Sequence, residues 1–479
     1  MAYPSVYPTG TTIYYPEECF NGYTVFAPRD VGAVLVDMNG NVVNLWQGLV
    51  GFPAKILPGG YVMGSTGERD ARYGFQDNID LVQVDWHGNV VWRFDKYERI
   101  KDPGEKARWM ARQHHDYQRE GNPVGYYVPG MDPRVDSGNT LLLCHKNLTN
   151  PQITDKLLLD DTFIEVTWDG EVVWEWICSE HFDEMGFSED AKNTLYRHPT
   201  IIEVGEGVGD WMHTNSISTL GPNRWYDAGD ERFHPDNIIW DCRQTNIIAI
   251  TDKGTGKIVW RIGPDYDSSA ELRNLGWIIG QHHAHMIPRG LPGEGNILVF
   301  DNGGWAGYGP SNPGAPTGHN NALRDYSRVL EFDPVTLQVV WQYSAAEAGF
   351  APIVEAYKFY SGFISSAQRL PNGNTLITEG VDGRLFEVTP EHSIVWEYIS
   401  PYFEKERNHN LVYRAYRVPY AWIPHVEEPD AIPVPRLDNR KFRVPGVSAE
   451  SKGATTKIKR GGRVVSDPQL CVVPRSTER

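Results

Sequence analysis

The sequence has few cysteines and no long apolar run. Five of its 479 residues are cysteine, an odd number without a CxxC spacing, which argues against a disulfide framework or a zinc ribbon. No stretch approaches the roughly 18 consecutive apolar residues of a membrane-spanning helix. The opening MAYPSVYPTG lacks the basic and apolar regions of a secretory signal. We therefore expect a soluble, cytoplasmic protein without a membrane partner; prior removal of a signal peptide would indicate the periplasm instead.

Positive charge is also scarce. The chain carries 45 Lys and Arg against 62 Asp and Glu, a net charge of −17. Residues 431–479 hold 11 basic and 4 acidic residues, so residues 1–430 are more acidic still, with 34 against 58. Such an acidic body is poorly suited to a phosphate backbone, and we expect no nucleic-acid partner. Residues 426–479 have little hydrophobic periodicity and are predicted to form an extended, mobile C-terminal tail.

An internal repeat is the strongest pattern in the sequence. Six segments end in an aromatic-rich strand, and each follows a short apolar stretch and a turn rich in Asn, Asp, Gly or Pro, which is typical of a β-hairpin. The six segments are GNVVNLW (40–46), GNVVWRF (88–94), GEVVWEW (170–176), GKIVWRI (256–262), LQVVWQY (337–343) and SIVWEY (393–398).

A second apolar strand precedes most of these hairpins, as in GNTLLL, GNILVF and GNTLIT, and a further short strand precedes that one. The repeat therefore has four strands in a minimal unit of about 46 residues, with insertions in the longer copies. Units of this kind are typical of propeller blades. The sequence predicts an all-β, six-bladed β-propeller over residues 1–425, in which the repeated tryptophans pack between blades and do not form a cofactor site.

The geometry of a propeller predicts where the polar residues of these strands meet. The start of an inner strand and the end of its neighbour lie on the same face, near the axis. Three of the four inner strands that we identify carry histidine near their start: QHHDY, MHTNSI and GQHHAHMI. The fourth, FISSAQ, does not. The second strands add further polar residues: His145, Lys146, Arg243, Asn302 and Glu379. Clustered imidazoles repel one another when protonated, so their convergence favours a functional role.

Two of these inner strands carry doubled histidines. In a regular strand, successive side chains point to opposite faces. Within the pairs His114/His115 and His282/His283, alternation therefore predicts that one imidazole enters the channel and its neighbour points away.

These motifs together resemble a known family. The succession HHD…GNTLLL, H-x-N-S-I…R…GKIVWRIG, GQH-x-A…GNILVFDNGG and RLPNGNTLITEG, over about residues 105–420, is similar to the bacterial arylsulfotransferases, the PAPS-independent aryl-sulfate sulfotransferases. The resemblance implies a six-bladed propeller in which a histidine attacks the sulfuryl group of an aryl sulfate. The resulting sulfohistidine then passes its sulfuryl group to a phenol.

The resemblance also implies roles for individual residues. His282 corresponds to the nucleophile, His213 and Asn215 to the H-x-N pair, Arg243 to the arginine of the same blade, and His115 to the HHD histidine. Flanking His and Arg side chains suit the charge on sulfuryl oxygens, and a neighbouring His suits proton transfer to a phenolate. The predicted catalytic residues are His282, His213, Arg243 and His115; the predicted substrate-binding residues are Asn215, His145, Asn302 and Glu379. We expect a small aromatic substrate and no cofactor.

Two other interpretations remain open. The same histidines could ligate a divalent metal, with Glu379 or Asp116 supporting them, in a lyase, hydrolase or oxygenase acting on a small aromatic or acidic substrate. The ligands would then be His115, His145, His213 and His282. A non-catalytic scaffold is the third interpretation, and it gives the histidines no purpose. Residues 413–417, YRAYR, are interpreted as a segment that closes over the propeller.

Overall fold

The architecture is a ring of β-sheets. The computed structural model of the chain describes residues 8–200, 209–309, 322–405, 409–438, 441 and 456. Within these residues, six sheets follow one another around an axis, with their inner strands side by side. The predicted six-bladed β-propeller is thus confirmed.

The strands run as follows. The first fourteen are β1 (Gly10–Tyr14), β2 (Tyr23–Pro28), β3 (Gly32–Val36), β4 (Val42–Gln47), β5 (Val50–Leu57), β6 (Tyr61–Ser65), β7 (Leu81–Val84), β8 (Val90–Phe94), β9 (Glu98–Ile100), β10 (Arg108–Met110), β11 (Gln113–Arg119), β12 (Thr140–Leu148), β13 (Leu158–Val166) and β14 (Val172–Ile177). The others are β15 (Thr214–Thr219), β16 (Ile238–Cys242), β17 (Ile247–Thr251), β18 (Ile258–Ile262), β19 (His282–Met286), β20 (Ile297–Asp301), β21 (Arg328–Phe332), β22 (Val339–Tyr343), β23 (Ser366–Arg369), β24 (Thr375–Glu379), β25 (Arg384–Val388), β26 (Ile394–Ile399) and β27 (Val412–Val418).

Short helices lie in the connections between strands. The α-helices are α1 (Glu189–Arg197), α2 (Arg224–Asp227) and α3 (Ala270–Leu275). The 3₁₀ helices are Pro16–Glu18, Cys178–Met185, Glu231–Phe233, Ala356–Lys358, Gly380–Asp382 and Tyr420–Trp422. Among the described residues, no helix combines the length and apolar character needed to cross a membrane.

We number the blades I to VI around the ring and give the strands of each blade from the axis outward. Blade I is β27-β2-β3-β4, blade II β5–β8, blade III β11–β14, blade IV β15–β18, blade V β19–β22 and blade VI β23–β26. Blade VI has β1 as an additional outer strand, and β9 and β10 form a separate hairpin. Blade I combines the last strand of the chain with three early strands, so the two ends of the repeat close the ring.

This closure corrects the interpretation of residues 413–417. They lie in β27, the innermost strand of blade I, and do not form a segment over the propeller. In the other blades the turns and the outer hairpin with its tryptophan come after the inner strand. β27 is the last strand of the described chain, and the other three strands of its blade come from the other end of the chain.

The repeated tryptophans join each blade to the next. Each indole N–H donates to a backbone carbonyl in the outer hairpin turn of the following blade, at 2.8 to 3.1 Å. The six bonds are Trp46 to Asp85, Trp92 to Trp168, Trp174 to Lys253, Trp260 to Pro334, Trp341 to Pro390 and Trp396 to Met38. They run once around the ring, which is the role between blades that the repeat predicts.

The beginning of the predicted tail is attached to the propeller. The backbones of Tyr14 and Val434 exchange two hydrogen bonds, at 2.7 and 2.9 Å, so residues near 434 lie against the outer edge of blade VI. This part of the tail is extended as predicted, and it pairs with β1. Most of the predicted tail, residues 442–455 and 457–479, lies outside the described residues.

A buried carboxylate holds the inner strands together at the axis. Asp116 accepts a hydrogen bond from Lys55 of blade II at 2.6 Å and from Arg414 of blade I at 2.9 Å. It also accepts the backbone N–H of Ile217 in blade IV at 3.3 Å. Burial raises the pKa of Asp116, but Lys55 and Arg414 outweigh it and lower the pKa below its ordinary value. One side chain therefore connects four adjacent blades.

We expect Asp116→Asn to destabilise the fold strongly. The change leaves Lys55 and Arg414 buried without their counter-charge, and breaking a buried ion pair on one side costs about 3–5 kcal/mol. A urea denaturation curve measures this loss. Asp70→Asn is the matched control, because Asp70 pairs with Arg72 on the surface, and its midpoint stays near that of the unchanged protein. Equal midpoints for the two variants would contradict the role of Asp116.

Candidate functional site

Four blades bring five polar side chains together near the axis. We call His115, His213, His282, Arg243 and Tyr413 the axial cluster. The His115 ring centroid lies 4.6 Å from that of His213 and 5.6 Å from that of Tyr413. The His282 ring centroid lies 6.4 Å from that of Tyr413. His115 and His282 therefore lie beside a tyrosine that was not predicted, and Arg243 lies next to His213, because the Arg243 N–H donates to the His213 carbonyl at 3.0 Å.

Bulges in the inner strands set the directions of these histidines. The register with the second strand shifts between Gln113 and Tyr117, and comparable shifts occur in β15 and β19. At each bulge one histidine has a left-handed backbone: φ is 51° at His115, 52° at His213 and 58° at His283. A bulge interrupts the two-residue period of a strand.

The two pairs of doubled histidines differ: the predicted alternation describes His114/His115 but not His282/His283. His115 joins the axial cluster, whereas His114 stacks on His145, with ring centroids 3.5 Å apart. His282 joins the axial cluster as well. His283 does not point out of the channel but lies deeper along it, with its ring centroid 5.8 Å from that of Tyr416 on β27.

Two neighbours fix the protonation of His282. Asn302 donates its amide hydrogens to the carbonyls of Ser361 and Ile364 at 2.7 and 2.8 Å, so its Oδ1 faces His282 Nδ1 at 2.8 Å. That contact requires a hydrogen on Nδ1. The Ile364 N–H donates to Nε2 at 3.1 Å, which requires a lone pair there. His282 is therefore a neutral imidazole with an unprotonated Nε2, the form that can act as a nucleophile.

The backbone that carries this donor is strained. Ile364 has φ 56° and Ser365 has φ 88°, two consecutive non-glycine residues in a region that L-residues rarely occupy. For a β-branched residue such as Ile364 this conformation is an outlier, and such strain concentrates at functional sites. It places the Ile364 N–H directly against the reactive nitrogen of His282.

His213 has a carboxylate partner. Its Nδ1 lies 2.5 Å from Asp210 Oδ2, so Nδ1 carries a hydrogen toward the carboxylate and Nε2 is left for the axial cluster. A histidine oriented by an aspartate in this way is suited to proton transfer. Asp210 is three residues before His213, outside any motif of the repeat, and the sequence analysis did not identify it.

Arg243 is a buried cation with few partners. Its side chain is 8% exposed, and its guanidinium lies 5.7 Å from the Trp305 ring centroid. Within the described part of the chain it forms no ion pair at 4 Å or less, and its Nε has no hydrogen-bond partner. Burial lowers the pKa of Arg243 to about 10, although Asp210 opposes the shift. A buried guanidinium of this kind is stabilised by an anionic ligand.

The electrostatic surroundings keep His282 and His115 neutral. Burial lowers the pKa of His282 well below its ordinary value, and the charge of Arg243 lowers it further. Burial also lowers the pKa of His115, with His213 as the next cause. Protonation of these rings at neutral pH is unfavourable, so they are available as bases, nucleophiles or hydrogen-bond partners.

The sequence analysis missed the contributions of blades I and II. Tyr413 Oη donates to the Asn215 carbonyl at 3.1 Å, and the Arg414 guanidinium donates to Tyr413 Oη at 3.2 Å. Phe52, in β5, packs between Tyr413 and His115, with ring centroids 4.6 and 5.2 Å away. Histidine spacing could not reveal these residues, because neither blade carries a histidine at this position.

The other predicted binding residues lie around the cluster and not within it. Asn215 donates to the Gln281 carbonyl at 2.9 Å and links blades IV and V. Asn302 supports His282 from behind. Glu379 accepts from Arg384 at 2.9 Å and from the Tyr360 N–H at 3.2 Å.

His145 and Lys146 also lie away from the axial cluster. His145 Nδ1 contacts Asp77 Oδ1 at 2.6 Å, on the far side of His114. Lys146 pairs with Glu175 at 2.9 Å, toward the surface. The structure therefore does not bring His145 to one point with His115, His213 and His282, the metal ligands of the alternative interpretation.

The comparison with protein families gives a direct result. A family model described as arylsulfotransferase (ASST) matches residues 133–414, more than half of the chain. The matched range contains His213, Arg243, His282 and Tyr413, while His115 precedes it. No curated protein matches the chain significantly.

Solved structures resemble the chain at low identity. A protein of unknown function from Bacteroides caccae is 10% identical, covers 83% of this chain over 99% of its own, and has a TM-score of 0.43. A putative 6-phosphogluconolactonase from Bacteroides fragilis is 8% identical (83% and 98% coverage, TM-score 0.31). Virginiamycin B lyase from Staphylococcus aureus is 9% identical (82% and 85% coverage, TM-score 0.33). At these TM-scores the likenesses carry no functional argument.

We expect His282 to remain neutral, with its hydrogen on Nδ1, from pH 7 down to about 5.5, a unit below the ordinary histidine pKa. The reason is that burial and Arg243 both disfavour the imidazolium. Nitrogen NMR of protein labelled at histidine measures both ring nitrogens, and the signals absent from His282→Asn assign them. Signals of two protonated nitrogens at pH 6 would show that the hydrogen-bond assignment is incorrect.

Proposed function

The chain belongs to the arylsulfotransferase family, and from this premise we propose that it transfers a sulfuryl group from an aryl sulfate to a phenolic acceptor. In this proposal the group is held on the way by His282, as a sulfohistidine. The observation that carries the proposal is an unprotonated Nε2 on His282 together with the buried guanidinium of Arg243, which forms no ion pair among the described residues and whose Nε has no hydrogen-bond partner there. One supplies a nucleophile and the other a charge for the sulfuryl oxygens.

In the first step His282 Nε2 attacks sulfur. The N–S bond forms as the bond between sulfur and the aryl oxygen breaks, and the electron pair of that bond leaves with the phenolate. Attack requires the hydrogen bond between the Ile364 N–H and Nε2 to open, which frees that N–H for a sulfuryl oxygen. As the charge on the oxygens shifts, Arg243 and the Ile364 N–H stabilise it from fixed positions.

The departing phenolate must also gain a proton. His213 can give a proton from Nε2 to the departing phenolate, because its Nδ1 hydrogen bond to Asp210 stabilises the imidazolium form. In the second step the roles reverse. His213 takes the proton of the acceptor phenol, the phenol oxygen attacks sulfur, and the N–S bond breaks with its electron pair returned to His282.

The aromatic rings around the cluster suit an aryl group. Phe52 and Tyr413 form one wall, and the Phe75 ring centroid lies 6.1 Å from that of His213. Stacked or edge contacts with such rings bind an aromatic ligand without fixing its substituents. We therefore propose small phenols and their sulfate esters as substrates, with no cofactor taking part in the transfer.

We expect a burst of about one phenol per chain when the protein meets an aryl sulfate without acceptor, since the first step is complete before the second begins. His282→Asn keeps a polar side chain but removes the nucleophilic nitrogen, so it should abolish the burst and lower turnover more than about a thousandfold. Arg243→Lys keeps the charge but loses the planar fork, and turnover should fall about ten- to a hundredfold. Rapid-mixing absorbance of the released phenol measures both quantities.

His283→Asn is the matched control for this experiment. His283 is the next residue in β19 and is equally buried, but it contacts Tyr416 and His285 and not the axial cluster. We expect a normal burst with a lowered melting temperature. A normal burst in His282→Asn and none in His283→Asn would move the nucleophile by one residue. A folded wild-type protein that gives no burst with any aryl sulfate would exclude the proposed reaction.

A further inference from the structure

A second group of convergent side chains lies behind the axial cluster, inside blade III. Its members come from three neighbouring strands: His114 from β11, His145 from β12 and Asp161 from β13. His145 and Asp161 are directly paired across the two strands. One nitrogen or oxygen from each of the three residues lies within 4.8 Å of the other two. All three side chains are buried, and none belongs to the machinery proposed above.

The distances suit a shared metal ion. Nε2 of His114 lies 3.2 Å from Asp161 Oδ1, and Nε2 of His145 lies 3.5 Å from the same oxygen. Two ligand atoms that are each about 2.0–2.2 Å from an ion lie about 3.0–3.5 Å apart. Neither His114 Nε2 nor Asp161 Oδ1 makes a hydrogen bond within the described part of the chain. Two buried atoms without hydrogen bonds thus face the same small space.

The surrounding hydrogen bonds orient the three ligands. His145 Nδ1 lies 2.6 Å from Asp77 Oδ1, so its hydrogen points to Asp77 and its Nε2 lone pair to Asp161. Asp161 Oδ2 accepts the N–H and hydroxyl of Thr214, each at 2.7 Å, which leaves Oδ1 free. A carboxylate behind a ligating histidine is the usual arrangement at metal centres.

The local charges also leave room for a cation. Asp77 is paired with Arg69 at 3.0 Å and with Arg112 at 2.9 Å. These two arginines are engaged in turn by Asp102 and Glu98, so this set holds three carboxylates and two guanidinium groups. Asp161 adds a further negative charge, and its ion-pair partners in the described residues are histidines alone. With neutral imidazoles, these four carboxylates and two guanidinium groups have a net charge of −2, which matches a divalent ion.

We propose that His114, His145 and Asp161 bind one divalent first-row metal ion of the Zn²⁺ or Co²⁺ type. Two imidazole nitrogens and one carboxylate oxygen are ligands that these ions prefer, and three protein ligands leave a position for water. The rings of His114 and His145 stack with planes 12° apart, and both Nε2 atoms lie near Asp161.

The ion would position the axial cluster without touching the substrate. Metal on His114 Nε2 requires the hydrogen on Nδ1, which lies 2.7 Å from His115 Nδ1. His115 then accepts at Nδ1 and carries its own hydrogen on Nε2. On the other side, Asp161 holds the N–H of Thr214, the residue that follows His213. The metal would thus orient His115 through His114, and the backbone next to His213 through Asp161.

Metal uptake by the full chain tests this proposal. We expect protein stripped with a chelator and dialysed to take up about one Co²⁺ or Zn²⁺ per chain and to gain thermal stability. The Asp161→Asn and His114→Gln variants should retain less than about a tenth of an equivalent. His181→Gln is the control, because His181 is a half-buried histidine that pairs with Glu184 away from blade III's inner strands, and its loss should leave uptake unchanged.

X-ray absorption of the Zn²⁺-loaded wild-type protein gives a second measurement that does not depend on variants. We expect scattering from two imidazole rings among the zinc ligands. Folded wild-type protein that takes up no ion would overturn the proposal, as would full uptake by a folded Asp161→Asn variant or zinc bound without imidazole. The burst experiment is separate, since it reports on His282 whether or not metal is bound.

Discussion

The tryptophan at the end of each repeat is the constraint on which the structure depends. Its indole N–H reaches the hairpin turn of the next blade, and the sixth bond, from Trp396 to Met38, returns to the first blade. Each blade can bury its second face only against a neighbour, so a ring without free faces is the favourable arrangement. The inner strands consequently converge, and polar residues at the start of these strands are forced into proximity.

That proximity would be unfavourable without compensation. The axis holds buried charges, and Asp116 balances Lys55 and Arg414 there with hydrogen bonds from three directions. Arg243 lacks such a partner among the described residues. The contrast separates two kinds of buried cation: those that hold blades together and the one that remains available for an anionic ligand.

The axial histidines gain their different chemistry from their neighbours and not from their position in the repeat. Asn302 and Ile364 give His282 an unprotonated Nε2, while Asp210 gives His213 a partner for its Nδ1 hydrogen. The strain at Ile364 is consistent with this, since a β-branched residue adopts a left-handed backbone at the point where its N–H meets His282. Three similar motifs thus produce three distinct imidazoles.

The sequence by itself determined the number of blades, the role of the tryptophans and the convergence of His115, His213, His282 and Arg243. These follow from a period and from hairpin chemistry, which are local properties. Tertiary structure decided the rest. Bulges redirected the doubled histidines, because a left-handed residue breaks strand alternation. Chain closure placed Tyr413 at the axis, since a strand with no repeat around it takes its partners from the other end of the chain. The separation of His145 from the cluster likewise depended on long-range contacts, with Asp77 and Asp161, that no spacing along the chain could specify.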